Sequence, residues 1–193
     1  MSTATPAMTA PGPGRPWCIA LVGNPNCGKT ALFNLLTGAR QKVANYAGVT
    51  VERKLGTATL PDGRNVSVVD LPGTYGLTPA TPDEQVTLEV IEGRRAGEDT
   101  PDAIVAVVDA TNLRMNLRLV LELRQLGRPL IVALNMADAA RAQGLAIDAA
   151  ALERELGCPV VETVAIRRHG HAGLLARLAG QLGSPAAAPA GAG

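Results

Sequence analysis

Cysteine is scarce in this sequence, and the few cysteines are widely separated. They are Cys18, Cys27 and Cys158, and no two of them form a C-x-x-C pair. This spacing argues against a disulfide framework and against a structural zinc site. The cysteines therefore favour a reducing, cytoplasmic setting.

The sequence also lacks an excess of either charge. Lysine and arginine total 18, aspartate and glutamate total 17, and the formal net charge is +1, with no long run of one sign. Domains that bind nucleic acid typically carry a basic patch or stripe. We therefore expect no nucleic acid partner.

Long apolar runs and a targeting segment are missing as well. The stretches AIVAVV and PLIVAL are far shorter than the roughly 20 apolar residues that a transmembrane helix needs, so this chain is not expected to span a membrane alone. Residues 1–16 are mainly small residues and prolines without the basic and apolar regions of a signal peptide. They are predicted to be a disordered lead, and the Ala/Pro/Gly-rich residues 183–193 a flexible tail.

The remaining residues, 17–182, have room for one α/β domain. Short apolar runs alternate there with helical patterns, which is typical of a mostly parallel sheet with helices on both faces. A turn sequence, Pro61-Asp62-Gly63-Arg64, predicts one antiparallel hairpin. The prediction is six strands, at 18–22, 55–60, 66–69, 104–108, 130–134 and 159–164, and helices at 29–37, 84–94, 113–126, 148–156 and 173–182.

Residues 23–34, GNPNCGKTALFN, lie between a predicted strand and a predicted helix. Gly23, Gly28, Lys29 and Thr30 complete the G-x-x-x-x-G-K-[ST] pattern of a P-loop, whose backbone N–H groups cradle phosphate at a helix N-terminus. Lys29 can reach the β- and γ-phosphates, and the Thr30 hydroxyl can ligate Mg²⁺. An ordinary glycine turn would not call for these two residues. The predicted nucleotide contacts here are Gly23, Asn24, Pro25, Asn26, Cys27, Gly28, Lys29, Thr30 and Ala31.

Asp70-Leu71-Pro72-Gly73 follows a later predicted strand. A carboxylate at this place can hold the Mg²⁺ shell, while the Gly73 N–H can bond to a γ-phosphate and release the loop when that phosphate is lost. A D-x-x-G sequence alone is equally compatible with a β-turn. Its place downstream of a P-loop, at a strand end, favours the functional interpretation.

Asn135-Met136-Ala137-Asp138 follows the apolar run LIVAL. The Asp138 carboxylate can accept two hydrogen bonds from guanine, through N1–H and the exocyclic amine, whereas adenine offers no matching donors. Asparagine and aspartate after a strand are also common turn residues. In this position of the chain, the pattern favours recognition of guanine by Asn135, Met136 and Asp138.

Thr50 lies in VANYAGVTVERK, a segment without regular periodicity between the first helix and the hairpin. A threonine there can complete Mg²⁺ coordination when a γ-phosphate is present, which would make the segment a nucleotide-dependent switch. Threonine is common in loops, so this assignment depends on the other motifs. The predicted Mg²⁺ ligands are therefore Thr30, Thr50 and Asp70.

Along the chain the order is P-loop, switch threonine, D-x-x-G and N-x-x-D. Motifs in this order resemble those of translation-factor-like regulatory GTPases. GNPNCGKTALFN, NYAGVTVERK, VDLPGTYGL, VVDATNLRMNL and VALNMADAA are similar to the G domain of the ferrous iron transport protein B (FeoB) family, from about residue 17 to 182. GVTVERK and DLPGTYGL are the most distinctive of these stretches. The resemblance implies a P-loop GTPase fold that binds GTP or GDP with Mg²⁺.

In the family resembled, the G domain is cytoplasmic, a helical domain follows it, and a membrane-embedded region moves Fe²⁺. The resemblance thus implies a guanine nucleotide as ligand and a helical or membrane region as partner, on another chain or in a longer protein. It implies a cytoplasmic location, at the inner face of the bacterial membrane through that partner. The residues implied in phosphoryl transfer are Lys29, Asn26, Thr50 and Gly73.

Three positions refine what the resemblance implies. Thr74 stands after Gly73, where Ras-like proteins have a glutamine that orients the attacking water, so slow hydrolysis is expected. Asn26 matches an asparagine that ligates K⁺ in some related GTPases, so K⁺ stimulation is expected. Ala165, after Val164 in the loop that contacts guanine, stands where relatives usually have serine, so weaker affinity and fast GDP release are expected.

Two other functions are compatible with the same motifs. Ribosome-assembly and tRNA-modification GTPases share G-x-P-N-x-G-K-[ST] and can use K⁺, but they normally carry an appended RNA-binding or modification domain. A non-catalytic GTP sensor that docks on a membrane partner is compatible with Thr74. Single-turnover hydrolysis separates the sensor from a GTPase.

Overall fold

The computed structural model describes residues 15–38, 40–167 and 170–182. Residues 1–14 of the lead predicted at 1–16, and the whole predicted tail at 183–193, lie outside these ranges. Within them the chain forms a seven-stranded sheet in the order β2-β3-β4-β1-β5-β6-β7. Its strands are β1 Trp17–Gly23, β2 Gln41–Asn45, β3 Glu52–Thr59, β4 Asn65–Asp70, β5 Ala103–Asp109, β6 Leu130–Asn135 and β7 Val160–Glu162.

The predicted α/β fold is confirmed, but the predicted count of six strands is wrong. The additional strand is β2, which pairs antiparallel with β3 at the edge of the sheet. All five of its residues are exposed, so it carries no apolar alternation that periodicity could detect. The four pairs among β1, β4, β5, β6 and β7 are parallel.

All five predicted helices are present, with ends within two residues of those expected. A further short helix begins directly after Met136 and was not predicted, because its first turn coincides with the N-x-x-D motif. A 3₁₀ turn covers Ala110–Asn112. The helices are α1 Lys29–Thr37, α2 Pro82–Glu92, α3 Leu113–Gln125, α4 Ala137–Ala142, α5 Ala149–Leu156 and α6 Ala172–Gln181.

Helices cover both faces of the sheet. Along β1 the side chains alternate, so that Ile19 and Leu21 join the core under α1 and α6 while Ala20 and Val22 join the core under α2 and α3. These buried aliphatic side chains fix the register of the central strands, because a slip of one residue would exchange the two faces.

The sheet brings the motif-bearing loops to a single edge. Parallel strands β1, β4 and β6 all end there, and the loops that follow them carry the P-loop, D-x-x-G and N-x-x-D sequences. Leu21 pairs with Asp70, and Asp109 pairs with Asn135. In open α/β sheets, ligands bind at the carboxyl ends of the strands.

Candidate nucleotide-binding site

The P-loop, residues 23–30, turns sharply between β1 and α1. Asn26 and Gly28 have positive φ angles of 65° and 83°, and α1 begins at Lys29. The Cys27 N–H donates to the Asn24 carbonyl at 3.3 Å. Burial raises the pKa of the Cys27 thiol to about 11, so this side chain is a neutral, small filler of the loop.

Gly28 is packed closely against the N-x-x-D loop. Asn135 Nδ2 donates to the Cys27 carbonyl at 3.1 Å, and a Cβ atom added at Gly28 would lie 2.3 Å from that same Nδ2. Glycine is therefore required at position 28 both for its left-handed backbone and for this close approach.

Gly28→Ala is expected to lower the free energy of unfolding by about 3 kcal/mol, because it combines backbone strain with overpacking. Gly144→Ala is the matched control: Gly144 has a φ of 76°, but nothing lies within 4 Å of its added Cβ. Strain alone should cost about 1 kcal/mol there. Urea unfolding followed by the fluorescence of Trp17, the single tryptophan, measures both, and equal losses would contradict the packing argument.

Asp70 joins the D-x-x-G loop to the P-loop. Its Oδ1 contacts Lys29 Nζ in a buried ion pair, and its Oδ2 accepts a hydrogen bond from the Thr30 hydroxyl at 3.0 Å. Asp70 and Lys29 are 5% and 9% exposed. A buried charge pair of this kind is costly to break, because each partner would be left without compensation.

A cleft of about 220 Å³ opens at these residues. Its lining includes Lys29, Thr30, Asp70, Gly73 and Val51. Thr50 is exposed and does not line it. A larger cavity of about 530 Å³, at the β2–β3 edge, is lined by none of the predicted site residues. The smaller cleft is therefore the candidate phosphate site.

The loop that begins at Asp70, residues 70–80, is named switch II here. It is held against the P-loop. The Thr74 N–H donates to the Gly23 carbonyl at 3.1 Å, and a Cβ atom added at Gly73 would lie 3.1 Å from Pro25. The Thr74 side chain is buried, and its hydroxyl donates to the Gly76 carbonyl at 2.6 Å. A second, longer bond of 3.4 Å joins this hydroxyl to Glu84 on α2, so Thr74 bonds to its own loop and to α2 and not toward the cleft.

Two glutamates that were not predicted also hold switch II. Glu84 accepts a hydrogen bond from the Ala80 N–H at 2.8 Å, and Glu122 accepts one from the Leu77 N–H at 2.6 Å. These bonds lower the pKa of both carboxyls below their usual values. The T-x-x-E spacing of Thr81 and Glu84 signals a helix cap in the sequence, whereas Glu122, on α3, has no comparable signal.

Asn135 connects the P-loop with the loop after β7. Besides its bond to Cys27, it accepts hydrogen bonds through Oδ1 from the Thr163 hydroxyl at 3.3 Å and from the Ala165 N–H at 3.1 Å. Asn135 is 1% exposed. The structure thus brings together two predicted site residues, Asn135 and Ala165, and adds Thr163, which no motif indicated.

Asp138 lies in the first turn of α4, after Met136, whose φ is 59°. Its Oδ1 accepts from the Ala139 N–H at 2.9 Å, and its Oδ2 lies 3.5 Å from Arg167 Nε. The carboxylate is only partly buried. It therefore stays accessible, while its backbone is fixed by the start of the helix.

The fold and this edge of the sheet together define the G domain of a P-loop GTPase. The P-loop lies after β1, the buried aspartate after β4 contacts its lysine and threonine, and N-x-x-D after β6 is tied to the same loop. Each of these features was found at the strand end where such domains bind a nucleotide.

Comparison with known proteins identifies the family. A family model described as Ferrous iron transport protein B matches residues 17–178. The chain belongs to this family, as its FeoB-type GTPase domain. This finding confirms the resemblance and does not support a ribosome-assembly or tRNA-modification GTPase.

The similar proteins include a transporter, a solved G domain and a solved cytosolic domain. The Fe(2+) transporter FeoB of Salmonella typhimurium is 53% identical over 156 residues, which are 79% of this chain and 19% of that protein. A GDP-bound mutant of the S. thermophilus FeoB G domain is 42% identical, with a TM-score of 0.72 over 82% of this chain and 58% of that one. The cytosolic domain of the T. maritima FeoB iron transporter in GMPPNP form is 37% identical, with a TM-score of 0.76 over 86% and 62%.

This chain thus spans about a fifth of the length of the curated relatives that it matches. Within the ranges that the structure describes, no helix has the length and apolar character needed to cross a membrane.

Proposed function

We propose that this chain binds GTP and GDP and hydrolyses GTP slowly, as the nucleotide-dependent switch domain of a ferrous iron transport protein. The observation that carries the proposal is the contact of Asp70 with both Lys29 and Thr30, which brings two motifs to one buried carboxylate. A GDP-bound FeoB G domain and a FeoB cytosolic domain in GMPPNP form, both similar to this chain, support the choice of nucleotide.

The proposed chemistry is mainly positioning and electrostatic stabilisation. Lys29 and Asn26 would stabilise the charge on the transferring phosphoryl group, and the Gly73 N–H would bond to the γ-phosphate. Asn135, Met136 and Asp138 would bind the base, with Val164 and Ala165 at its other side. The remaining P-loop residues, from Gly23 to Ala31, would surround the phosphates.

The chain's own oxygen donors fit Mg²⁺. The Thr30 hydroxyl and the Asp70 carboxylate lie 3.0 Å apart in the cleft, and Mg²⁺ prefers such oxygen ligands together with substrate phosphates. Bound Mg²⁺ would neutralise charge on the phosphates. Thr50 is proposed as a third protein ligand, and because it lies outside the cleft lining, it would have to move toward Thr30.

Potassium is proposed to stimulate hydrolysis through Asn26. This residue is exposed on the P-loop with a left-handed backbone, which places its carboxamide at the loop surface, where the oxygen would ligate a cation.

Asn26→Ala is therefore expected to lose most of the difference in phosphate release between KCl and NaCl, a loss of about tenfold in the stimulated rate. Asn34→Ala, an exposed residue on α1, is the control and should keep the stimulation. An Asn26→Ala protein as active in KCl as the parent would contradict the assignment.

Slow hydrolysis is proposed because Thr74 cannot replace the glutamine of Ras-like proteins. Its hydroxyl is bonded to Gly76, and its side chain is 1% exposed. The same observation keeps a non-catalytic GTP sensor as the second candidate. Single-turnover assays decide between the two, because a sensor would release GTP unchanged.

Ala165 is proposed to weaken nucleotide binding. Its N–H is already bonded to Asn135 Oδ1, and alanine offers no hydroxyl to support the loop. We expect GDP release to be fast, with Ala165→Ser slowing it about threefold through one added hydrogen bond. Stopped-flow displacement of a fluorescent GDP measures both rates, and equal rates would contradict this role.

The domain is proposed to act in the cytoplasm, at the inner face of the bacterial membrane. Its partner would be the membrane region that moves Fe²⁺, or a helical regulatory domain, in the same protein or on another chain. The relatives that bear the name Fe(2+) transporter support this placement.

Calorimetric titration in Mg²⁺ tests the proposed specificity. GDP and GMPPNP should bind at least about 100-fold more tightly than ADP and AMPPNP, because a site built for a guanine donor pair rejects a base that lacks it. ADP binding as tight as GDP binding would overturn the proposal.

A further inference from the structure

The segment between α2 and β5 forms polar contacts with switch I, defined here as residues 43–54, at two points. Arg95 Nη2 donates to the Ala47 carbonyl at 2.7 Å, and its guanidinium lies 5.6 Å from the centroid of the Tyr46 ring. Nearer β3, Glu98 forms an ion pair with Arg53 at 2.9 Å. The two contacts therefore connect the segment after α2 with both sides of the loop that carries Thr50.

Arg95 is held in place for this contact. Its Nη1 forms an ion pair with Glu89 on α2 at 2.7 Å, and its side chain is only 13% exposed. Tyr46 is 1% exposed. Cation–π and charge-assisted contacts are stronger when they are shielded from water, and an arginine already oriented by a carboxylate loses less freedom in making them.

The contacts of Arg95 and Glu98 stabilise a closed hairpin in switch I. The Tyr46 N–H donates to the Val51 carbonyl at 2.9 Å, and Asn45 pairs with Glu52. In this conformation Val51 lines the phosphate cleft while Thr50 is exposed. Because the hairpin closes around residues 47–50, Thr50 can approach Thr30 and Asp70 only if this segment rearranges.

One feature opposes the closed hairpin. The Tyr46 hydroxyl is buried and has no hydrogen-bond partner within the described ranges, and an unpaired buried hydroxyl costs free energy. The Arg95 contacts therefore offset a local cost, and their loss should favour the rearranged segment.

We propose that Arg95 is a positioning residue that holds Thr50 outside the phosphate cleft. The inference rests on the proposed function, in which Thr50 approaches a γ-phosphate and its Mg²⁺. GDP has no γ-phosphate, so its binding does not require Thr50 to move. Binding of a GTP analogue requires that movement, which the Arg95 contacts oppose. A ligand that needs a minor conformation loses apparent affinity in proportion to the population of that conformation.

Arg95→Ala tests this directly. The Kd for GMPPNP is expected to fall about tenfold, which corresponds to about 1.4 kcal/mol, while the Kd for GDP changes by less than about twofold. Arg94→Ala is the matched control, because it removes the same charge one residue away, where the ion pair with Glu92 is on the surface. Glu89→Gln, which removes the orienting carboxylate, should shift the ratio in the same direction by a smaller factor.

Hydrogen exchange in the nucleotide-free protein supplies a second readout. The Tyr46 amide should exchange about tenfold faster in Arg95→Ala and at the parental rate in Arg94→Ala, because local opening of the hairpin exposes it. Equal shifts for GDP and GMPPNP, weaker GMPPNP binding, or an unchanged Tyr46 rate would overturn the role of Arg95. A parent protein that binds neither nucleotide would instead overturn the proposed function.

Discussion

Asp138→Asn is expected to weaken GTP binding by about 10³-fold and to create affinity for XTP. The carboxylate is proposed to accept from two donors of guanine, whereas the amide would present its own N–H₂ to one of them, and a mismatch of this kind, buried under the bound base, costs several kcal/mol. Xanthine has a carbonyl oxygen where guanine has the amine, so it pairs with the amide. Competition of GTP and XTP against a fluorescent nucleotide measures the reversal.

The control for this experiment is Asp99→Asn, an exposed carboxylate outside the site that should leave both affinities unchanged. The substitution would also weaken the contact with Arg167, whose Nε lies 3.5 Å from the Asp138 carboxylate, because a neutral amide does not attract the guanidinium. A variant at Asp138 that keeps parental GTP affinity would show that another residue reads the base.

Lys29→Ala is expected to slow single-turnover GTP hydrolysis by at least about 10³-fold and to weaken GDP binding by about 100-fold, because the charge proposed to face the phosphates is lost. The variant should also unfold more easily by about 3 kcal/mol, since it leaves the Asp70 carboxylate buried without its partner. Quenched-flow hydrolysis and urea unfolding of the nucleotide-free protein separate the two effects.

Lys54→Ala is the matched control. Lys54 also lines the cleft, but its Nζ pairs with the exposed Glu52 carboxylate at 3.0 Å. It should hydrolyse GTP within about threefold of the parent rate, because an exposed ion pair contributes little. Parental activity in Lys29→Ala would contradict the assigned phosphate site.

The sequence was most informative where one local signal fixed one element. The glycines, Lys29 and the leucine spacing after them gave α1 its observed bounds, Lys29–Thr37. It was least informative at short or exposed elements. The strand predicted at 159–164 spans only Val160–Glu162, because it pairs over three residues with β6. Beyond it, the Thr163 hydroxyl and the Ala165 N–H bond to Asn135.

In the candidate site, too, local motifs could be predicted from the sequence, whereas contacts between distant segments could not. Each motif is a short local pattern, so Lys29, Asp70 and Asn135 could be proposed as site residues from the sequence alone. The contacts between motifs depend on how distant loops meet in space, so no periodicity predicts the bond of Asn135 to Cys27 or that of Arg95 to Ala47. The exposed position of Thr50, beside a cleft that it does not line, also needed the structure.

Phosphate release from GTP and from ATP, in matched KCl and NaCl buffers with Mg²⁺, is the first test of whether this domain is a guanine-specific GTPase. We expect slow turnover of GTP alone, faster in KCl than in NaCl, and no turnover of ATP above background. Equal turnover of ATP would contradict guanine recognition by Asp138, and tight GTP binding without any phosphate release would show a sensor in place of a GTPase.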